Sequence, residues 1–490
     1  MSDSTPSEKV GLLPTLGLFT TISIVVGAVI GSGIFKKSAP MALQLGSPEL
    51  LIGVWILAGI LTLFGALTNA EVAGMISATG GQYIFFKEMY GKFSAYLYGW
   101  AMFAVVQSGS IASITYIFSE SANEFLSLPH LSPAMESMSF HIRYIGDIFP
   151  FADIGVKGLT IAIIILLSLI NYRGVALGGA VQVIFTVLKV IAIAIIVVLA
   201  FTSGGGNATN FVQVSASGTP SGIGLLGAIM AALTGAFWAY DGWNNITYIA
   251  GEVKNPQHTI PRSLFVGMMV IISVYLVVNL AYIYVMPIDA MAKSGFLAMD
   301  VAKIIFANIN PSLATIGVGF IAAAIMISTF GTSNSTILAS ARLYYAMSRE
   351  KMFFKSLGEI HPRYRTPGNA LLIQAIWSSV LVFSGTFDTL TDMLIFVSWV
   401  FYAMGAAGVF ILRKKMPDVA RPYKVWGYPY IPLLFVTFAS AFVIITLYTD
   451  IQAYMTGQST IINSVFGIFL VALGIPFYVY FEWKKKQRAE

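Results

Sequence analysis

The sequence predicts an all-α polytopic membrane protein of about twelve transmembrane helices. Of its 490 residues, 57% are apolar and only 10% are charged, whereas soluble domains carry about a quarter of their residues as charges. Mean hydropathy is +0.80. The apolar residues are gathered into long runs, most of them long enough for a helix to cross a hydrocarbon core about 30 Å thick. A soluble fold cannot hide so much apolar surface, which argues against a soluble enzyme or a nucleic-acid binder. Cysteine is absent, so a disulfide framework, a thiolate nucleophile and a sulfur metal site are excluded.

The first ten residues are polar, and the run after them is too long for a signal-peptide core and lacks a clear small-residue cleavage site. It is read as the first span, 15–43. Eleven more follow at 50–76, 93–119, 157–171, 177–201, 222–250, 262–286, 309–341, 370–386, 390–412, 428–449 and 460–481. An even number of spans puts both termini on one side, and basic residues say which side that is. The termini and even-numbered connections hold 21 Lys and Arg, including Lys9, Lys87, the 342–365 stretch, 413–424 and Lys484 to Arg488. The odd-numbered connections hold 6: Lys36, Lys37, Arg143, Lys157, Lys293 and Lys303. The expectation is a multi-pass protein of the plasma (cell inner) membrane with both termini cytoplasmic. The pI of 9.1 is then a topology signal, and no nucleic acid is needed as partner.

Two spans carry breaks at matching places. Span one contains Gly27-Ala-Val-Ile-Gly-Ser-Gly33, and span six contains Ala236-Phe-Trp-Ala-Tyr-Asp-Gly242. Gly31 and Gly242 are 211 positions apart; the starts of spans five and ten differ by 213, those of two and seven by 212. A constant offset across five spans implies two five-helix units of opposite orientation in the membrane, the inverted-repeat plan of many secondary transporters, with a substrate site near the midplane. The expected organisation is a cytoplasmic tail at 1–14, repeats at 15–201 and 222–413, spans eleven and twelve within 427–481, and a cytoplasmic tail at 482–490.

Ionisable groups deep in a membrane are functional candidates by default. Lys189, well inside span five, and Asp241, inside the break of span six, are the deep ones, and Glu71 lies nearer the cytoplasmic end of span two. Each could instead hold helices together by pairing with neighbours. The Gly-Ser-Gly of span one has its own logic: glycine permits the dihedrals that unwind a turn, and the freed amides suit an anion such as a carboxylate. Free carbonyls on the preceding half-helix would suit an ammonium group, so one break can hold both ends of a zwitterion. The alternative for Gly27-x-x-x-Gly31 is small-residue helix packing, and the small residues of span eight are read that way. His130, His141, His258 and His361 fall in connections without metal-ligand spacing, and no hydrolase elbow or Walker sequence is present. No metal or other cofactor is expected, and no catalytic residue.

Gly27-Ala-Val-Ile-Gly-Ser-Gly-Ile-Phe35, Gly80-Gly-Gln-Tyr83, Ala239-Tyr-Asp-Gly-Trp243 with Gly251-Glu-Val-Lys-Asn-Pro256, and Ser340-Ala-Arg-Leu-Tyr344 together resemble the amino acid–polyamine–organocation superfamily over roughly residues 15 to 480. Within it the chain looks most like the L-amino acid transporter family, relatives of the light subunits of animal heterodimeric exchangers. The resemblance implies a LeuT-like 5+5 inverted repeat with helices 1 and 6 broken, moving L-amino acids by alternating access. By position it puts Gly31, Ser32 and Gly33 at the substrate, with the Ser32 and Gly33 amides and the Ser32 hydroxyl on the carboxylate. Val29 and Ile30 offer carbonyls to the α-amine. Trp238, Ala239 and Asp241 form the substrate-facing turn of span six, Trp238 as an outer lid. Lys189 matches a lysine that stands in for a sodium ion, which implies sodium-independent transport.

Two departures matter. Asp241 lies where many neutral amino acid exchangers have a small residue, whereas cystine and basic amino acid transporters of the family also carry Trp and Asp here. The animal members bond to a heavy subunit through an outer-loop cysteine; this chain has none, so no disulfide-linked heavy subunit is expected, as in bacterial relatives. The expected function is sodium-independent amino acid transport, exchange foremost, with proton-coupled amino acid or polyamine symport as the alternative. A channel would be expected to show a repeated filter or charged rings, and an embedded enzyme a catalytic cluster.

Overall fold

The computed structural model describes residues 14–487, with side chains throughout except at 175–180 and 223. The remaining parts of the two expected tails, with Lys9 and Arg488, lie outside the described residues.

Ten described helices or helix pairs are long and apolar enough to cross a membrane, and the shorter Gly224–Tyr240 and Gly368–Val382 make twelve. Span six is short because it breaks at Asp241. Span one runs Leu18–Val29 and resumes at Gly33–Lys36. Spans two to five are Pro48–Met75, Lys92–Leu126, Ile154–Tyr172 and Val175–Thr202. Span six is Gly222–Tyr240 followed by Asn245–Tyr248, and span seven is Pro256–Val285. Spans eight to twelve are Ala314–Arg349, Gly368–Val382, Phe387–Lys415, Tyr430–Met455 and Asn463–Lys486. The sequence punctuates several ends. Ser47 caps span two by accepting from the Leu50 amide, with Pro48 and Glu49 in the first turn, and span ten ends on Arg413-Lys414-Lys415 beside its terminal carbonyls. The sheet content of the described residues is one hairpin, Phe140–Ile142 with Gly146–Ile148.

The packing obeys the repeat. Span one lies against spans seven and five, and span six against spans two and ten. Span five packs on span eight as span ten packs on span three; span four packs on span three as span nine packs on span eight. Spans two and seven, three and eight, and four and nine pack on each other, as a two-fold exchange of the units requires. The breaks open after Val29 and after Tyr240, again 211 positions apart. Aliphatic side chains such as Ile184, Ile191, Val198, Ile376 and Val380 are exposed on the outer flank, where lipid replaces water and the helices satisfy their own backbone groups.

Several buried charges are held in ion pairs. Glu71 accepts two hydrogen bonds from Arg413, at 2.9 and 2.7 Å, and one from the Val425 amide, with Arg421 at 3.4 Å. Span two is thereby tied to the end of span ten and the connection after it, the structural alternative for this carboxylate. One expectation is corrected here. Arg342 belongs to span eight, not to a connection, because the helix continues to Arg349. There Arg342 is fully buried and pairs with Glu252 at 2.9 Å, so the extra turns lie inside protein and need no water.

Removing Glu71 takes two hydrogen bonds from Arg413 and leaves the buried Val425 amide without its acceptor, a loss on the order of 1–3 kcal/mol. Glu71→Ala is therefore expected to lower the thermal unfolding midpoint of the purified protein markedly, while a substitution at exposed Glu359 should leave it unchanged.

Candidate functional site

The site begins with the problem of a broken helix in a bilayer: backbone groups released by the break need partners, because no bulk water supplies them. At the first break the carbonyls find a cation. Lys189 Nζ lies 3.0 Å from the Gly27 carbonyl, 2.6 Å from that of Ile30, 3.1 Å from that of Ser328 and 2.9 Å from Thr332 Oγ1. The ammonium is fully buried and ties span five to span one and span eight. Ser328 Oγ also donates to the Ile30 carbonyl, at 3.1 Å.

The amides at the same break are left free. Among the described residues, those of Gly31, Ser32 and Gly33 make no bond to a backbone carbonyl. Ser32 Oγ is buried and unpartnered, and so is Trp238 Nε1. Both residues line one narrow cavity, together with Val29, Gly31, Gly33, Asp241, Gln107, Ser110, Asn245, Thr332 and Thr336 among others. Buried polar groups are nearly always satisfied in folded proteins, so two unpaired donors on one cavity wall mark a place for acceptor atoms.

The second break forms the opposite wall. After Tyr240 the backbone turns extended at Asp241 (ψ 159°) and left-handed at Gly242 (φ 102°). A Cβ at Gly242 would sit 2.9 Å from the Ala28 carbonyl oxygen, so both dihedral and space demand glycine. Asp241 Oδ1 accepts from the Tyr402 hydroxyl at 2.6 Å, which joins the break to span ten. The two breaks also touch directly: a Cβ at Gly33 would lie 2.5 Å from Ala239 Cα. Tyr275 of span seven bridges them, its hydroxyl 3.0 Å from the Val29 carbonyl and 2.7 Å from that of Ala239.

Trp238 is itself covered. Its indole meets the Phe387 ring edge-on at 5.9 Å, and Lys37 Nζ lies 4.8 Å over that ring. Lys37 pairs with Asp388 at 2.7 Å and Lys36 with Glu120 at 2.6 Å. Toward the opposite side the Arg342 to Glu252 pair and a Lys87 to Glu350 pair at 2.7 Å hold the connections together.

Comparison with known proteins places this arrangement. The family model described as "Amino acid permease" matches residues 16–472. The chain belongs to the amino acid permease family. Similar permeases include the serine/threonine exchanger SteT of Bacillus subtilis, 29% identical over 98% of this chain and 99% of that one. The human b(0,+)-type amino acid transporter 1 is 32% identical over 89% of this chain and 83% of its own. The human cystine/glutamate transporter is 28% identical over 98% and 88%. These relatives are named as exchangers and transporters, and none of the three is named as an enzyme.

The permease brings six of the expected substrate residues to one cavity: Val29, Gly31, Ser32, Gly33, Trp238 and Asp241. Two stand elsewhere. The Ile30 carbonyl, expected to face an amine, points to span five and span eight, where it accepts from Lys189 and Ser328. Ala239 packs on Gly33 and gives its carbonyl to Tyr275. The Val29 carbonyl likewise already holds one donor, Tyr275. Sequence reasoning missed Gln107, Ser110, Asn245, Thr332, Thr336 and Tyr402. A signal for the first two exists in the polar run Gln107-Ser-Gly-Ser110 within an apolar span. They follow a π-helical turn, Met102–Val106, which shifts the register of the helix and often marks functional positions. Gln107 Nε2 then donates to Asn245 Oδ1 at 3.0 Å. The small residues of span eight do pack closely, yet Thr332 and Thr336 among its neighbours also line the cavity.

Replacing Lys189 by Met keeps the side-chain length and removes the charge, leaving the Gly27 and Ile30 carbonyls short of their strongest donor. Transport is expected to fall at least tenfold while membrane expression falls less than twofold, read by uptake normalised to protein in the membrane. Equal losses of both would make Lys189 a folding residue only.

Proposed function

We propose that this permease is a sodium-independent exchanger of small L-amino acids that works by alternating access. The observation that carries the reading is the set of unpaired donors on the cavity wall: the Gly31, Ser32 and Gly33 amides, the Ser32 hydroxyl and the Trp238 indole. A substrate carboxylate matches them in charge and hydrogen-bond sense. The carboxylate of Asp241 and the Val29 carbonyl on the same cavity offer acceptors to an α-ammonium. The remaining side chains, Gln107, Ser110, Asn245, Thr332 and Thr336, are polar and mostly small. That lining suits a serine- or threonine-sized side chain, in keeping with the exchanger SteT among the relatives.

Sodium independence is supported by Lys189. Its ammonium already sits among three carbonyls and a hydroxyl, an oxygen cage of the sort a metal cation would otherwise need. The excess of basic residues on the termini and even-numbered connections, which remains with Arg342 set aside, supports a plasma-membrane orientation with both termini cytoplasmic. Repeats at 15–201 and 222–413, with 427–481 outside them, are the units proposed to rock against each other. Without cysteine no disulfide to a heavy subunit can form.

Uptake of labelled serine into proteoliposomes tests the reading. Saturable uptake stimulated by serine trapped inside, and unchanged when sodium is replaced by choline, is the expected result. Uptake driven instead by a pH gradient would replace exchange by proton symport, and sodium stimulation would remove the role given to Lys189. An amine analogue lacking the carboxylate should compete poorly; if it is carried as well as serine, Ser32 and Gly33 do not bind a carboxylate.

Two substitutions probe the opposite wall. Asp241→Asn keeps the shape and the acceptor for Tyr402 but removes the charge, so the ratio of basic to neutral substrate uptake, or the pH dependence, should shift severalfold. If neither moves while the rate is kept, Asp241 is structural. Trp238→Ala should slow translocation strongly by removing the cover, whereas Trp238→Phe should keep activity and admit bulkier side chains. Unchanged rate and substrate range in the alanine variant would leave Trp238 as packing against Phe387.

A further inference from the structure

A cavity of aromatic and basic residues lies far from the breaks, where the end of span eight meets span twelve. Its walls are Ser348, Lys351, Phe353, Phe354, Lys355, Tyr480, Phe481, Lys484 and Lys485. Four of these nine residues are lysines, drawn from two segments about 130 positions apart in sequence. Among the described residues, no carboxylate pairs with any of the four, and Glu350, the sequence neighbour of Lys351, is turned to Lys87 at 2.7 Å. Lys484 rests on Tyr480, its Nζ 3.1 Å from the hydroxyl and 5.3 Å from the ring centre. Glu482, on the same helix, does not line the cleft.

The turn that forms the cleft is specific. Span eight ends at Arg349, and Lys351 takes a left-handed backbone, φ 62°, a conformation uncommon for a long side chain. Ser348 fixes the turn by donating to the Phe354 carbonyl at 2.7 Å. Phe353 then packs inward on Trp100 and Phe103 at the foot of span three, and Phe354 meets Phe481 of span twelve edge-on at 5.5 Å.

Depth in the bilayer distinguishes the occupant. Below the cleft, span twelve exposes Ile475, Phe477 and Val479, and at its level it exposes Tyr480 and Trp483 before Lys484-Lys485-Lys486. That order, aliphatic then aromatic then cationic, is the signature of the membrane interface. Basic pockets between helices at this level suit phosphate headgroups, and lysines near an anionic leaflet are drawn to it. A free phosphate shares the charge but has no use for the exposed Phe354 and Tyr480 rings.

We propose that this cleft binds the phosphodiester headgroup of an anionic phospholipid, with Lys351, Lys355, Lys484 and Lys485 around the phosphate and Phe354 and Tyr480 against its glycerol and upper acyl chains. The site is independent of substrate binding, so it can be tested without transport. The purified full chain in neutral detergent is titrated with short-chain phosphatidylglycerol, short-chain phosphatidylcholine or inorganic phosphate, and bound lipid is counted by native mass spectrometry. Phosphatidylglycerol is expected to bind at least tenfold more tightly than phosphatidylcholine and to be displaced by salt. The quadruple variant Lys351→Gln, Lys355→Gln, Lys484→Gln, Lys485→Gln should lose that preference. Lys414→Gln with Lys424→Gln, charges outside the cleft, should keep it. Equal binding of the two lipids, or preference surviving in the quadruple variant at an unchanged unfolding midpoint, overturns the proposal. Displacement of phosphatidylglycerol by millimolar inorganic phosphate, at an ionic strength where chloride does not displace it, would make the cleft a soluble-anion site and overturn the lipid assignment. If the quadruple variant fails to fold, Lys351→Gln with Lys485→Gln decides on the same readout.

Discussion

A helix cannot be broken inside a bilayer unless its released backbone groups find partners within the protein. Lys189 meets that demand at the first break, and the rest of the site follows from how it does so. Its ammonium gathers the Gly27 and Ile30 carbonyls with the Ser328 carbonyl and the Thr332 hydroxyl. The Gly27 and Ile30 carbonyls are thereby turned to Lys189, and the amide end at Gly31 to Gly33 is left facing the cavity. A lone charge at that depth is costly, but four oxygens around one ammonium are what its desolvation requires. One cation thus sets both the stability of the break and the sense of charge that its open end can receive.

The two broken helices are coupled as well as parallel in design. Gly33 lies against Ala239 so closely that no side chain fits between them, and one tyrosine, Tyr275, takes a carbonyl from each break. Asp241 extends the contact to span ten through Tyr402. A shift of either break therefore loads the other through packed atoms and short hydrogen bonds. The periphery is tied differently: ion pairs at Lys36, Lys37, Lys87 and Arg342 cross between elements at the two ends of the molecule. The Lys87 to Glu350 pair, partly exposed on both sides, contributes little, whereas the buried Arg342 to Glu252 pair is strongly destabilising to break on one side only.

Much of this was legible in the residues. Twelve spans, the breaks at Gly27 to Gly33 and Ala236 to Gly242, and the 211-position offset are one-dimensional facts, because hydropathy, glycine content and repeat spacing are properties of the chain itself. Lys189, Asp241 and Glu71 also stood out, since a charge inside an apolar run is conspicuous without any structure. What a run of letters does not encode is direction. Glu71 proved to be enclosed by Arg413 and Arg421, Arg342 belonged to a helix rather than a connection, and Ile30 faced Lys189 rather than the cavity.

The sequence by itself determined that this is a membrane-embedded bundle of two related five-helix units with an unwound Gly-Ser-Gly at its centre, and motif resemblance pointed to the amino acid permeases. The tertiary structure decided which polar groups share the cavity. Gln107, Asn245 and Thr332 come from three spans, and only a π-helical turn in span three and the crossing of spans three, six and eight bring them together. Hydropathy is summed along the chain, whereas a binding site depends on which atoms remain unpaired once every helix has packed, and Ser32 and Trp238 could be recognised as unpaired only after their neighbours were in place.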